Sequence, residues 1–309
     1  MARLADWIQA ARPRTLVAAV IPVALAGAAF RLHAPAYPGW LGTLAGCGLF
    51  ALLAQVASNL ANDLGDGRRG TDRPGRLGPA RAVAEGRIAP RAMGWATALA
   101  VLLAFAAGLL AAGVALDGWV LLAGVLALAL ALAYTLGPLP LAYVGLGDVF
   151  VIACFGVQAT ALTGLVLWRT SAFHPPYAPA DWSPLLGDLL VAGLGVGCLA
   201  DNLLLANNSR DRETDAAAGK RTTVVRLGRG FARRLHALNL AAGLGCLAWV
   251  FGWPPLLLVP LAVRDHLGFR RAAEGADFVP FLGRSALLLL LAGALCITGA
   301  CLGWGPAVR

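Results

Sequence analysis

Residues 62–91 read NDLGDGRRGTDRPGRLGPARAVAEGRIAPR, and they follow directly on a long apolar run at 41–61. The segment holds Asp63, Asp66, Asp72 and seven arginines, in a chain of which only 13% of residues are charged. A second stretch, NNSRDRETDAAAGKR at 207–221, repeats the design: an apolar run ends in asparagine and spaced aspartates, and basic residues follow. Where charges are this sparse, their placement is informative.

The rest of the chain explains the contrast. Of 309 residues 59% are hydrophobic, with a mean hydropathy of +0.73. A water-soluble domain of this length carries roughly twice the charge, and several runs reach the ~20 apolar residues that cross a bilayer as a helix. The composition predicts an all-α polytopic membrane protein, a single domain over 1–309. Nine apolar runs stand between polar breaks, at 16–30, 41–61, 92–115, 119–136, 144–166, 185–206, 235–251, 254–263 and 286–302. The eighth is ten residues, about 15 Å as a helix, half a bilayer. It must tilt, shorten, or continue as an amphipathic helix through 264–271.

Charge then orients the chain. A net charge of +9 could suggest nucleic acid, but 24 of the 25 basic residues are arginines set between apolar runs, which is the signature of topology. With the N-terminus inside, every basic residue except Arg31, Arg169 and Arg309 falls on the inner side. Both Asp-rich segments then share the cytoplasmic face of the plasma (inner) membrane. The basic N-terminus allows a cleaved leader with AGAA at 26–29, but the number of later runs favours a retained first helix. The six cysteines lie within apolar runs without ligand spacing and read as small helix-packing residues. GLGVG at 193–197 lacks the strand–turn–helix setting of a nucleotide loop and reads as close helix packing. The loop at 168–184, with His174, Tyr177 and Trp182, reads as outward-facing, its aromatics as interfacial anchors.

The two charged stretches could carry chemistry. Asn62 and Asp66, like Asn59 and Asp63, are four apart and share a helix face; Gly65, Gly67 and Gly70 are expected to break that helix. Asn207, Asp211 and Asp215 form a stripe at i, i+4, i+8, flanked by Asn208 and surrounded by Arg210, Arg212, Lys220 and Arg221. Oxygen donors without His or Cys suit Mg²⁺, which binds through a few carboxylates plus a substrate's phosphates. Two such stripes facing one another could hold metal ions bridged by a diphosphate, with arginine and lysine neutralising the outer charge. The plainer alternative is that these residues only cap helices and pair with neighbouring arginines.

NDLGDGRRGTD resembles the first Asp-rich motif (NDxxDxxxxxD) of the UbiA superfamily of intramembrane prenyltransferases, and NNSRDRETDAAAGKRT resembles its second. AARPRTL at 10–16, RLGPARAVAEGRI at 76–88 and YTLGPLPLAYVGLGDVFV at 134–151 are similar to the branch acting on 1,4-dihydroxy-2-naphthoate. The resemblance implies a bundle of about nine helices around a cavity open to the cytoplasm and laterally to lipid. It implies polyprenyl diphosphate as donor, that naphthoate as acceptor, and loss of CO₂. Mg²⁺ would be held by Asp66, Asp211 and Asp215, with Asn62, Asp63, Asn207 and Asn208 assisting. Arg210, Lys220 and Arg221 would contact phosphate. Arg12, Arg14 and Arg81 are candidates for the acceptor's carboxylate, or topology determinants. Asp148, Gln158, Asp201 and Asn202 lie inside spans, where an ionisable residue is a functional hypothesis by default; Asp201 fits an acceptor contact or a helix-pairing group. Other aromatic acceptors, 4-hydroxybenzoate or homogentisate, stay open. So does an ion-coupled carrier, although carriers place their polar groups at the bilayer midplane.

Overall fold

The computed structural model describes residues 2–70, 77–78, 81–137, 140–177 and 181–304. Asp72 lies outside them. The described residues form helices α1 (Leu4–Ala11), α2 (Val17–His33), α3 (Trp40–Arg69), α4 (Pro90–Ala112), α5 (Gly118–Ala133), α6 (Gly147–Phe150), α7 (Ala159–Ser171), α8 (Trp182–Arg210), α9 (Arg212–Ala217), α10 (Thr223–Phe251), α11 (Val259–Arg271) and α12 (Val279–Cys301). A π-helical stretch, Val151–Gln158, joins α6 to α7 without a break. Local chemistry sets several starts. Asp117 accepts the Val120 N–H at 2.9 Å ahead of α5, and Thr222 accepts the Val225 N–H at 3.2 Å ahead of α10; both satisfy donors that a helix start leaves unpaired.

Among the described residues, six helical segments are long and apolar enough to cross a membrane, seven if the bent pair Leu4–Thr15 and Val17–His33 counts as one span. All nine apolar runs overlap helices. However, α5 has only 16 residues, and the run at 254–263 begins as a tight turn, Pro254–Leu258, and continues as α11 to Arg271. That continuation is the third of the options the sequence left for it.

α8 is the central pillar, packed by α2, α7, α10 and α12. Its Leu185, Leu189, Ala192 and Val196 have no exposed surface. Such depth is possible because its glycines let backbones touch. A Cβ on Gly156, in the π-helical stretch, would sit 2.2 Å from the Gly193 carbonyl oxygen, and one on Gly195 would sit 3.0 Å from the Gly243 oxygen. GLGVG is therefore a contact surface for two neighbouring helices, as close packing of small residues requires. Helix α2 enters the same core through Leu25 and Phe30. At the end remote from the Asp-rich stretches, Tyr37 stacks on His174 and Trp168 on Trp182. These rings pack against one another, and Tyr37, Trp168 and Trp182 also against the core.

Candidate active site

α3 has 30 residues, about 45 Å of helix, which exceeds the ~30 Å hydrocarbon layer, so its last polar turns reach beyond it. The helix does not break at Gly65 or Gly67 as the sequence suggested. It runs through both and ends at Gly70, whose φ of +64° suits a residue without a Cβ. The two inner glycines serve contact instead. A Cβ at Gly67 would lie 2.6 Å from Val83 Cγ1, and one at Gly65 would lie 3.1 Å from the Thr135 carbonyl oxygen. The segment after residue 80 thus lies directly on the helix. Asp63 holds it there, accepting the backbone N–H groups of Ala82 at 3.1 Å and Val83 at 3.0 Å.

The α8 terminus meets this assembly. α8 stops at Arg210 and α9 resumes at Arg212, yet the i to i+4 hydrogen bonds run through the joint: Asp211 N–H to Asn207 O at 2.9 Å and Asp215 N–H to Asp211 O at 2.8 Å. Asn207, Asp211 and Asp215 accordingly keep the common face read from their spacing. Together with Asn62, Asp63, Asn208, Arg210, Lys220, Arg12, Arg14 and Arg81 they line one cleft of ≈ 1350 Å³. The two motifs, some 140 residues apart in sequence, share a cavity.

Three residues of the predicted set do not line it. Asp66 is buried, accepting the Tyr143 hydroxyl at 2.6 Å and facing the Arg81 guanidinium at 3.6 Å. Arg221 is exposed, and its backbone N–H donates to the Tyr143 carbonyl at 3.0 Å. Asp201 is wholly buried and accepts the Asn239 amide at 2.8 Å. It is a contact between α8 and α10, about one turn from Leu204 of the cleft lining.

Cations sit beside Asp211 and Asp215. Arg210 grips Asp211 through two bonds of 2.7 Å, both side chains almost fully buried, and Lys220 lies 3.7 Å from Asp215. Arg12 occupies the elbow after α1 with φ +52°, a region few non-glycine residues adopt. From there it donates to Asn62 Oδ1 at 2.6 Å. Backbone held in such a region at a cleft is a sign of function. The elbow is fixed by Asn59, which donates to the Ala11 carbonyl at 2.8 Å and Thr15 Oγ1 at 3.1 Å. α1 is tied down by Arg87, which pairs with Asp6 and reaches Gln9 at 3.0 Å. The Arg3 backbone N–H and then Arg87 hold the Asp6 carboxyl below the usual carboxylate range.

The sequence reading missed Tyr143. Its hydroxyl binds Asp66, its ring lies under Arg69 (5.0 Å) and Lys220 (5.5 Å), and its carbonyl holds the Arg221 backbone. One side chain thereby braces both motifs. It lay within the quoted stretch 134–151, but nothing in its spacing marks it as a link. Among the described residues no three His, Cys, Asp or Glu side chains cluster closely enough to hold a metal ion unaided. The donors present, carboxylate and amide oxygens beside cations, fit an ion that arrives with a phosphate ligand and completes its shell there.

A second cavity of ≈ 1070 Å³ opens beneath, walled by α2 to α5, the π-helical stretch and α7. It is apolar apart from a few groups, with Phe50, Phe105, Phe150 and many alanines. The cavities adjoin where Tyr134 of the cleft packs on Phe150 of the groove at 5.1 Å.

Residues 19–264 match the UbiA prenyltransferase family. The 1,4-dihydroxy-2-naphthoate octaprenyltransferase of Haemophilus influenzae is 30% identical over 97% of this chain and 97% of its own. The protein of that name from Mycobacterium tuberculosis is 37% identical over 97% and 98%. A solved UbiA homolog from Archaeoglobus fulgidus bound to DMAPP and Mg²⁺ shares the fold, with a TM-score of 0.57 at 17% identity, over 94% of this chain and 99% of that one. The family match spans both Asp-rich helix ends and the groove between them, and the chain belongs to the UbiA prenyltransferase family.

Proposed function

We propose that the chain transfers a polyprenyl group from polyprenyl diphosphate to 1,4-dihydroxy-2-naphthoate, releasing diphosphate and CO₂ and giving demethylmenaquinol for menaquinone synthesis. The observation that carries this reading is the meeting of α3 and α8 in one charged cleft that adjoins an apolar groove. A diphosphate head and a hydrocarbon tail need those two environments side by side.

The cleft's residues have separable tasks. Lys220 and Arg210 offer charge-assisted donors to the diphosphate. Asp211 and Asp215, with Asn62, Asn207 and Asn208, would supply oxygen ligands for Mg²⁺, with Asp66, oriented by Tyr143 and Arg81, in support. Asp63 holds the 81–88 segment, and with it Arg81, against α3. Bound Mg²⁺ would neutralise negative charge as the allylic C–O bond breaks and its electron pair leaves with diphosphate. Stabilising that departing charge is the largest catalytic contribution. The allylic carbon then bonds to the electron-rich ring. The carboxylate leaves as CO₂, and its bonding electrons restore aromaticity. Arg12 and Arg14 line the cleft and would bind the acceptor's carboxylate. The apolar groove keeps water from the cation.

The arrangement is read as nine crossings in the plasma membrane, α5 and α11 being short ones, with the N-terminus and the cleft on the cytoplasmic side. The arginine distribution supports this orientation. The test supplies purified protein with labelled polyprenyl diphosphate and a panel of aromatic acids. Labelled product with 1,4-dihydroxy-2-naphthoate is expected. Product only with 4-hydroxybenzoate or homogentisate would overturn the choice of acceptor.

A further inference from the structure

Gln55 lies on α3 seven residues before Asn62, about 10 Å deeper at 1.5 Å per residue. It is 8% exposed and lines the apolar groove. Its hydrogen bonds fix the direction of its amide. The Ala11 carbonyl can only accept, so Asn59 must turn its Nδ2 toward it, at 2.8 Å. Asn59 Oδ1 then faces Gln55 and accepts from Nε2 at 3.2 Å. Gln55 Oε1 is left buried with no donor. A buried acceptor without a donor is destabilising, and the α3 helix could place any apolar side chain there without that cost.

We infer that Gln55 is a positioning residue for the aromatic acceptor, its Oε1 accepting the phenolic hydroxyl remote from the carboxylate. The inference rests on the function proposed above. A prenyl chain carries no hydrogen-bond donor, so the acceptor is the substrate able to satisfy Oε1. Of its two hydroxyls, the one adjacent to the carboxylate can bond to that group internally. The 4-hydroxyl cannot, and it needs a partner in an apolar site. With the carboxylate toward Arg12 at the level of Asn62, the opposite edge of the ring points down α3 toward Gln55. Asn59 links the two ends, since it fixes both the Arg12 elbow and the Gln55 amide. A site that hydrogen-bonds a hydroxyl discriminates strongly against analogues lacking it.

The test compares wild type with Gln55→Met, which keeps bulk and removes the acceptor oxygen. Two constants are read: KM for 1,4-dihydroxy-2-naphthoate, and Ki for 1-hydroxy-2-naphthoate, which lacks the 4-hydroxyl. KM is expected to rise roughly tenfold, as loss of one buried hydrogen bond implies. Ki should stay within about twofold, and KM for polyprenyl diphosphate should not move. Gln55→Glu, whose carboxyl can donate to Asn59 and still accept from substrate, should restore most of the acceptor affinity. Equal weakening of both naphthoates would make Gln55 merely structural, and no change in either would overturn the inference. If Gln55→Met does not accumulate, Gln55→Ala is read the same way. Failure of wild type to use 1,4-dihydroxy-2-naphthoate at all would instead refute the proposed acceptor, a separate outcome visible before any variant is made.

Discussion

Asp211 shows how much one residue's surroundings govern the experiment that tests it. Its carboxylate is bound twice by Arg210, and both are buried. Truncation to alanine would strand that guanidinium at a cost of about 3–5 kcal/mol, so lost activity would be confounded with lost fold. Asp211→Asn keeps the shape and one accepting oxygen while removing the charge. Turnover is expected to fall by about 10²-fold or more, in line with loss of a preorganised electrostatic group. The thermal midpoint in detergent should fall, but by less than for Asp211→Ala, because one accepting oxygen stays on the guanidinium. Turnover within threefold of wild type would remove Asp211 from the site. Tyr143→Phe asks a finer question, because it deletes the hydroxyl on Asp66 but keeps the ring beneath Arg69 and Lys220. The loss of about 1–2 kcal/mol of hydrogen bonding should lower kcat/KM roughly 5- to 30-fold without altering expression. The aspartates were legible from sequence because carboxylates are rare in this chain and their spacing is helical. Tyr143 was not, since its role comes from a turn that folds back across α3.

At the scale of elements, glycine taught the opposite lesson from the one its local chemistry suggests. Gly65 and Gly67 lie inside α3, where they cost helix propensity of about 1 kcal/mol each relative to alanine. They are kept because Val83 and the Thr135 carbonyl press on that face. Local sequence cannot distinguish a helix breaker from a contact surface; only the partner does. Gly156 makes the same point where the π-helical stretch meets α8. Gly156→Ala would put a methyl 2.2 Å from the Gly193 oxygen, and backbone cannot swing aside as a side chain can. Overpacking of this kind costs about 1–3 kcal/mol or more. A lowered unfolding midpoint in detergent is expected, and wild-type stability would show that the two helices have slack. GLGVG at 193–197, by contrast, was legible as packing because it lies mid-run with no turn beside it.

For the whole molecule, the decisive property is that basic charge and the acidic stripes are concentrated at one end of an apolar body. An enzyme built this way needs no gradient. Activity should survive in detergent, be stopped by EDTA and return on adding Mg²⁺. Full turnover in chelator would take the metal out of the mechanism, and dependence on an ion gradient would favour a carrier. Composition and hydrophobic periodicity determined the membrane-spanning helical class, the positions of the apolar runs and the two acidic stripes, because burial in lipid leaves few alternatives to a helix. The tertiary structure decided that α3 and α8 end in one cleft, that Asp66 is held by Tyr143 and Arg81 while Asp211 and Asp215 line the cleft, that Asp201 pairs with Asn239, and that Gln55, on the lining of the groove, keeps a buried oxygen without a donor. Those outcomes depend on which helix faces meet, and meeting is a property of packing across long stretches of chain that no local pattern records.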